Sequence, residues 1–260
     1  MRTNNWTQKR VSFIDPSGKK RRIHIHIAKN TDSAFWKAVA VKFWNGTIQG
    51  LNLVPSSTTA KVFSGFIQNH PDRLYFKQFF LRNKRDHFKQ RFRKSRAYRD
   101  LKGICLAAAK GLQVPKAHCV IEEPQKKRGA LSAIITAEIK DAVQLHQLLE
   151  TLLQNQDRQS MRQLLRALGR EMARWHLCGM RHGDARTHNI LCRIENPCQG
   201  INAANINFWW LDNERTRPVI RKRELLRNLV QLNMTRSGVS LTDRMRFWQA
   251  YWADAGKIYH

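Results

Sequence analysis

Arg181-His182-Gly183-Asp184-Ala185-Arg186-Thr187-His188-Asn189-Ile190-Leu191 is the stretch on which the reading of the fold turns. Its core is H-G-D-x-x-x-x-N followed by an apolar pair. A carboxylate and an amide five positions apart in one loop can serve two atoms of one reaction. The carboxylate can accept a proton from an attacking hydroxyl. The amide carbonyl is a hard oxygen ligand of the kind Mg²⁺ takes. Downstream, Asn207-Phe208-Trp209-Trp210-Leu211-Asp212 reads as an apolar strand ending in a second carboxylate. Upstream, Tyr75-Phe76-Lys77 places a lysine inside a predicted strand.

A lysine, then D-x4-N, then an aspartate is the set of parts that phosphoryl transfer needs. Most of that catalysis is positioning and charge neutralisation. In this reading Asp184 is the base, Asn189 and Asp212 hold metal, and Lys77 reaches the phosphates. Each residue taken alone has an ordinary reading. Asn189 is a turn residue, Asp212 a turn former at a strand end, and Lys77 a surface lysine. His182 reads as a ring that shapes the loop backbone. Cys192, Cys198 and His188 match no zinc spacing.

Outward from this loop the texture divides. Val11 to Asp15 and Arg22 to Ile27 predict strands around the turn Pro16-Ser17-Gly18. Ile23, Ile25 and Ile27 alternate with His24 and His26, and the two His are expected on an exposed strand face. Lys61 to Phe66, Leu74 to Phe79 and Ala130 to Ala137 read as further strands. Ser95 is a candidate N-cap for a helix carrying Leu101, Ile104, Cys105 and Ala108, stopped by Gly111 and Pro115. After Asp141 helical stripes dominate: Leu145 to Leu152, Met161 to Trp175, Leu225 to Leu232, and a capped helix from Ser240 with Met245, Phe247, Trp248 and Tyr251. The Met and aromatic residues at this spacing are expected in the core. Strands first and helices afterwards predict an α+β chain of two lobes. Residues 1–139 form the β-rich one and 140–260 the helical one. Asn196 to Asn205 is expected to form an extra loop or hairpin tip.

The chain has 260 residues and a formal charge of +28, from 47 Lys and Arg against 19 Asp and Glu. Such a charge implies an anionic partner or surface. Nine basic residues lie between Leu81 and Arg99, opposed there by Asp86 alone. Apolar residues make up 42% of the chain, enough for a real core. No stretch has the length of uncharged apolar residues that a membrane span requires. The first ten residues lack the apolar segment of a secretory signal. Five Cys without paired spacing argue against a disulfide framework and fit a reducing compartment.

Finer features resemble one family. Phe76-Lys77-Gln78-Phe79, the basic run into Ser95-Arg96-Ala97, and Gly111-Leu112-Gln113-Val114-Pro115 are similar to the lipopolysaccharide core kinases. So are Leu211-Asp212-Asn213-Glu214-Arg215, Arg227-Asn228-Leu229-Val230-Gln231-Leu232-Asn233, and Thr242-Asp243-Arg244-Met245-Arg246-Phe247. The resemblance runs from about residue 60 to the end. It implies a bilobal protein-kinase-like fold, ATP and Mg²⁺. It also implies an acceptor in the lipopolysaccharide inner core or a lipid-linked sugar, heptose or Kdo. The expected place is the cytoplasm, peripheral on the anionic inner membrane. Carried over by motif, Lys77 binds the α- and β-phosphates, Asp184 is the base, and Asn189 and Asp212 hold metal.

The chain departs from the kinase pattern in four places. No glutamate lies between Lys77 and Glu122, and Asp100 is the candidate partner for the lysine. No G-x-G-x-x-G precedes Lys77, so residues 54–65 must cover the nucleotide, with Ser57 and Thr58 as candidate contacts. The D-F-G position reads Asp212-Asn213-Glu214. No A-P-E segment follows, which argues against a regulated protein kinase. Two other functions fit parts of the chain. One is a kinase-like phosphotransferase for another small molecule or a protein. The other is an inactive basic nucleic-acid-binding module, but no nucleic-acid motif is present and no specific nucleic-acid partner is expected.

Overall fold

The computed structural model describes residues 5–55, 60–80, 93–124, 131–196, 198, 200–219, 221–234 and 238–258. Ser57, Thr58 and residues 81–92 of the basic run lie outside the described residues. The chain forms two compact units, residues 1–105 with 115–138, and residues 106–114 with 139–260.

The first unit is built on a seven-stranded antiparallel sheet. Its strands are β1 (Trp6–Ile14), β2 (Lys20–Ala28), β3 (Asn52–Val54), β4 (Ala60–Gly65), β5 (Leu74–Phe79), β6 (Ala117–Glu123) and β7 (Leu131–Ala137). They lie in the order β1-β2-β6-β7-β5-β4-β3. Strand side chains alternate between faces, and the two faces of this sheet are covered differently. One carries Ile23, Ile25, Ile27, Phe76, Ile121 and Ile135, packed with Trp36, Val39, Ala40 and Phe43 of helix α1 (Ser33–Trp44). Asp32 caps α1 by accepting from the Ala34 and Phe35 amides.

The other face carries a line of residues set by register. Lys77 stands opposite Ile134, Ile134 opposite Val120, and Val120 opposite His26. Helix α2 (Arg96–Ala108) lies over this face: the Ala97 amide donates to Ser132 Oγ, and Tyr98 meets the His26 ring at 5.0 Å. Ser95 caps the helix through the Tyr98 amide. The covering helix corrects the exposed face expected for His26, while His24 is half-buried beside Gln8. His26 is buried and its Nε2 lies 2.6 Å from Glu122 Oε2. Burial pushes the Glu122 carboxyl up, but bonds from His26 and Ser95 outweigh it and the pKa falls below its usual value.

The second unit is mostly helical: α3 (Leu145–Gln154), α4 (Arg158–Leu177), α5 (Arg223–Asn233) and α6 (Leu241–Ala255). The expected stripes Leu145, Leu148, Leu149, Leu152 and Met161 to Trp175 form its core with Trp210 and Tyr251. Helix α6 crosses α4 at Gly169, where the Phe247 carbonyl leaves no room for a side chain. Ser240 caps α6 through the Asp243 amide. Two small sheets complete the unit. One has the order β11-β10-β8, with β8 (Val143–Gln144), β10 (Ile190–Ile194) and β11 (Ile206–Trp210); the other pairs β9 (Met180–Arg181) with β12 (Arg217–Pro218). Strands β10 and β11 are a hairpin whose connection contains the expected insertion.

The helical stripes are not all core. Leu226, Met245 and Trp248 are exposed, against the expectation. On α5 and α6 the apolar pattern is wider than the face that packs inward, so a second apolar stripe is left on the surface.

Candidate active site

The site grows from the turn after α4. Gly179 ends that helix with a positive φ of 67°, which glycine adopts without steric cost. Strand β9 then leads into His182. This ring is completely buried between Trp175 and Trp210, with centroids 5.6 and 5.2 Å away. Burial lowers its pKa, against opposing contributions from Asp212 and from the backbone of Leu211 and Asp184. A neutral ring enclosed by two indoles packs the loop from below, as the sequence implied.

Gly183 follows with φ 81°, and a Cβ there would collide with the backbone of Arg215. No other residue fits this position. Asp184 comes next, its side chain 21% exposed, with Arg186 Nε 3.0 Å from its Oδ1. The 3-10 turn Thr187–Asn189 brings Asn189 back beneath it, and Asn189 Nδ2 donates to the Asp184 carbonyl at 3.0 Å. That bond orients the amide and leaves its carbonyl oxygen as the atom that could hold a metal. The Leu211 amide donates to the Asn189 carbonyl at 2.8 Å, which sets Asp212 beside Asn189 across the hairpin end. Asp212 is held at φ 57°, ψ 57°, the left-handed region that Asp tolerates better than most residues. The structure therefore brings Asp184, Asn189 and Asp212 together. One amide carbonyl and one carboxylate beside a loop carboxylate are a hard-oxygen set that suits Mg²⁺.

Sequence reasoning left four residues of this site without a role. Asn213 Nδ2 donates to the Trp210 carbonyl at 2.7 Å, and Thr216 Oγ1 donates to the His182 carbonyl at 3.2 Å. From α5, Asn228 Oδ1 accepts from the Gly183 amide at 3.2 Å. Gln231 Oε1 accepts from the Ala185 amide at 3.1 Å, while its Nε2 donates to the Gly183 carbonyl at 3.2 Å. The peptide groups on both sides of Asp184 are thus gripped by two amides three apart on one helix face. Asn228 is fully buried. The available signal was the spacing of two amides in an otherwise apolar helix stripe.

Basic residues surround the loop. Arg181 is buried, 3.5 Å from Glu224, and Arg217 lies 3.0 Å from the same carboxylate. Burial lowers the Arg181 pKa first of all, and the nearby Arg217, Arg227 and Arg215 add to this.

In the first unit Lys77 sits on β5, on the sheet face that α2 covers. Asp100 lies on α2 and is only 4% exposed. A buried carboxylate has to be paired or hydrogen-bonded.

A model of the lipopolysaccharide kinase (Kdo/WaaP) family matches residues 56–251 of the chain. A solved structure described as WaaP in complex with acyl carrier protein is 18% identical, with a TM-score of 0.59 over 82% of this chain and 85% of that one. At that identity the likeness speaks for the fold, a protein-kinase-like α+β arrangement. No curated protein sequence matches.

Proposed function

Because the chain belongs to the lipopolysaccharide kinase (Kdo/WaaP) family, and is therefore a phosphotransferase, we propose that it transfers the γ-phosphate of ATP to a sugar hydroxyl of the inner core, on heptose or Kdo. The observation that carries this reading is the bonding of Asn189 to the Asp184 carbonyl and to the amide of Leu211, the residue before Asp212. Asp184 is the base: it orients the acceptor hydroxyl and takes its proton as the oxygen attacks. Asn189 and Asp212 would hold Mg²⁺, which supplies positive charge against the phosphate oxygens when bound. Lys77 binds the α- and β-phosphates, and Asp100 on the helix over the same sheet face orients it. Ser57 and Thr58 would contact the nucleotide from the segment before β4.

The acceptor's carboxylate or phosphate groups would meet the exposed arginines around the loop, Arg186 and Arg217. Arginine suits planar, bidentate recognition of such groups. Among the described residues no helix is long and apolar enough to cross a membrane. With a net charge of +28, the protein would work in the cytoplasm, peripheral on the anionic inner membrane.

Transfer of labelled γ-phosphate from Mg-ATP to purified inner-core lipopolysaccharide tests this. Wild type should label the core and Asp184→Asn should not. A wild type that binds Mg-ATP yet labels only another acceptor would refute the sugar assignment. Equal labelling by the variant would refute the role of Asp184.

A further inference from the structure

Helix α5 grips the candidate catalytic loop with one face and shows an exposed apolar stripe on another. Leu226, Val230 and Met234 recur every four residues and are 48%, 60% and 64% exposed. On a helix such residues form one stripe. Helix α6 repeats the pattern. Leu241, Met245, Trp248 and Trp252 lie at i, i+4, i+7 and i+11, again one stripe, and all four are exposed. The Trp248 and Trp252 rings stack 5.7 Å apart over an open depression of about 370 Å³ that Gln249 and Ala253 complete. Arg244 of α6 donates to Asn233 of α5 at 2.8 Å, which ties the start of one helix to the end of the other.

The charge around these stripes has one sign on the α5 side. Lys222, Arg223 and Arg227 fall next to Leu226 and Val230 on the helical wheel. The single acid of α5, Glu224, points inward to Arg181 and Arg217. Large apolar side chains with two tryptophans, flanked by cations, are the pattern of a helix surface that lies in a lipid interface. The apolar groups enter the acyl boundary, Trp sits at headgroup depth, and Lys and Arg meet lipid phosphates. A second copy of a chain carrying +28 would bring like charge to the same face.

We propose that the outer faces of α5 and α6 are the surface through which this protein docks on an anionic phospholipid membrane. The proposal rests on the reading of the enzyme as peripheral to a membrane, and it names the face that makes the contact. It also places the docking surface on the helix that carries Asn228 and Gln231.

Flotation with vesicles of phosphatidylglycerol and phosphatidylethanolamine tests the proposal, without nucleotide or acceptor, so the readout is independent of kinase activity. Wild type should bind these vesicles and bind phosphatidylcholine vesicles weakly. Trp248→Gln with Trp252→Gln, and separately Val230→Glu with Met234→Glu, should each weaken binding by about tenfold or more while keeping the wild-type melting temperature. In the wild type, lipids brominated along the acyl chain should quench tryptophan fluorescence, a result that needs no variant. Unquenched fluorescence, or equal vesicle binding by both double variants, would overturn the proposal. So would a wild type that labels detergent-solubilised acceptor but binds no vesicle, in which case the kinase reading stands and the docking face falls. Binding of an acidic carrier protein or self-association through these residues, without vesicle binding, would also overturn it.

Discussion

In the second unit the candidate site is held by side chains that reach backbone atoms from 45 to 48 positions away along the chain. In the first unit Lys77 is placed by strand register, between Val62 and Ile134, with a helix laid over its face. The two constructions carry different risks. A loop gripped by individual side-chain bonds can lose its geometry when one amide is removed. A lysine on an inner strand, paired on both sides, keeps its position through neighbouring changes, and only its own side chain or its partner matters. The loop needs such help because its backbone follows no regular hydrogen-bond ladder, and buried peptide groups must still find partners.

Breaking the chemistry directly should give the largest effect. Asp184→Asn keeps the side chain's shape and removes the base, and should lower the turnover rate by roughly two or more orders of magnitude. Steady-state transfer assays read this, and a wild-type rate would dissolve the comparison. Next, Lys77→Ala should impair transfer strongly with an unchanged melting temperature, because the sheet register does not depend on the lysine. A variant that unfolds instead would mean that the lysine supports the sheet.

Asn228→Ala tests the gripped loop. Losing a buried hydrogen-bond partner costs about 1–3 kcal/mol, and part of that should appear as a fall in kcat of about tenfold. Asn228→Asp keeps an acceptor for the Gly183 amide and should restore much of the rate. A purely structural role would lower stability in both variants and leave kcat per folded molecule unchanged. Asp100→Ala is the counterpart in the first unit. It should raise KM for ATP with less effect on the melting temperature than other buried charge losses, the outcome expected of a residue that orients Lys77. No change in KM would mean that something else positions the lysine.

The smallest effect distinguishes the units by pH. Each contains a histidine whose burial lowers its pKa to about 4: His118 in the first and His176 in the second. Both stay neutral in the folded state while the unfolded chain takes up protons below about pH 6.5. Stability from each is therefore present above that pH and is lost as pH falls from about 6.5 towards 4. The melting temperature should drop across this window. His118→Phe, which keeps a ring stacked against Trp36, should flatten the part of the drop that belongs to the first unit. An unchanged pH profile in that variant would show that other groups control acid sensitivity.

Much of the arrangement was legible in the sequence. The strands at β2, β5 and β7 and the helices α2 to α6 follow apolar periodicity, and caps such as Ser95 and Ser240 act where they were expected. Helix α1 and strand β6 were not anticipated. Phe35, Trp36, Phe43 and Trp44 crowd α1 with aromatics that blur a helical stripe. His118 and Glu122 interrupt the apolar run of β6, and they find their partners, Trp36 of α1 and His26 of β2, only in the folded chain. Exposure was misread on α5 and α6 because apolar spacing shows that a stripe exists, not whether anything covers it.

The sequence alone supplied the candidate residues and their order, Lys77, Asp184, Asn189 and Asp212, because residue type and short spacing are what such candidates are read from. It also predicted strands first and helices afterwards, because periodicity is local. The tertiary structure decided what holds the loop and what lies against each face. The grip of Asn228 and Gln231 on Gly183 and Ala185, the burial of Asp100 and His26, and the exposure of Trp248 depend on contacts between segments far apart in the chain. Those contacts arise from packing and from the pairing of buried polar groups, which no single window of sequence contains.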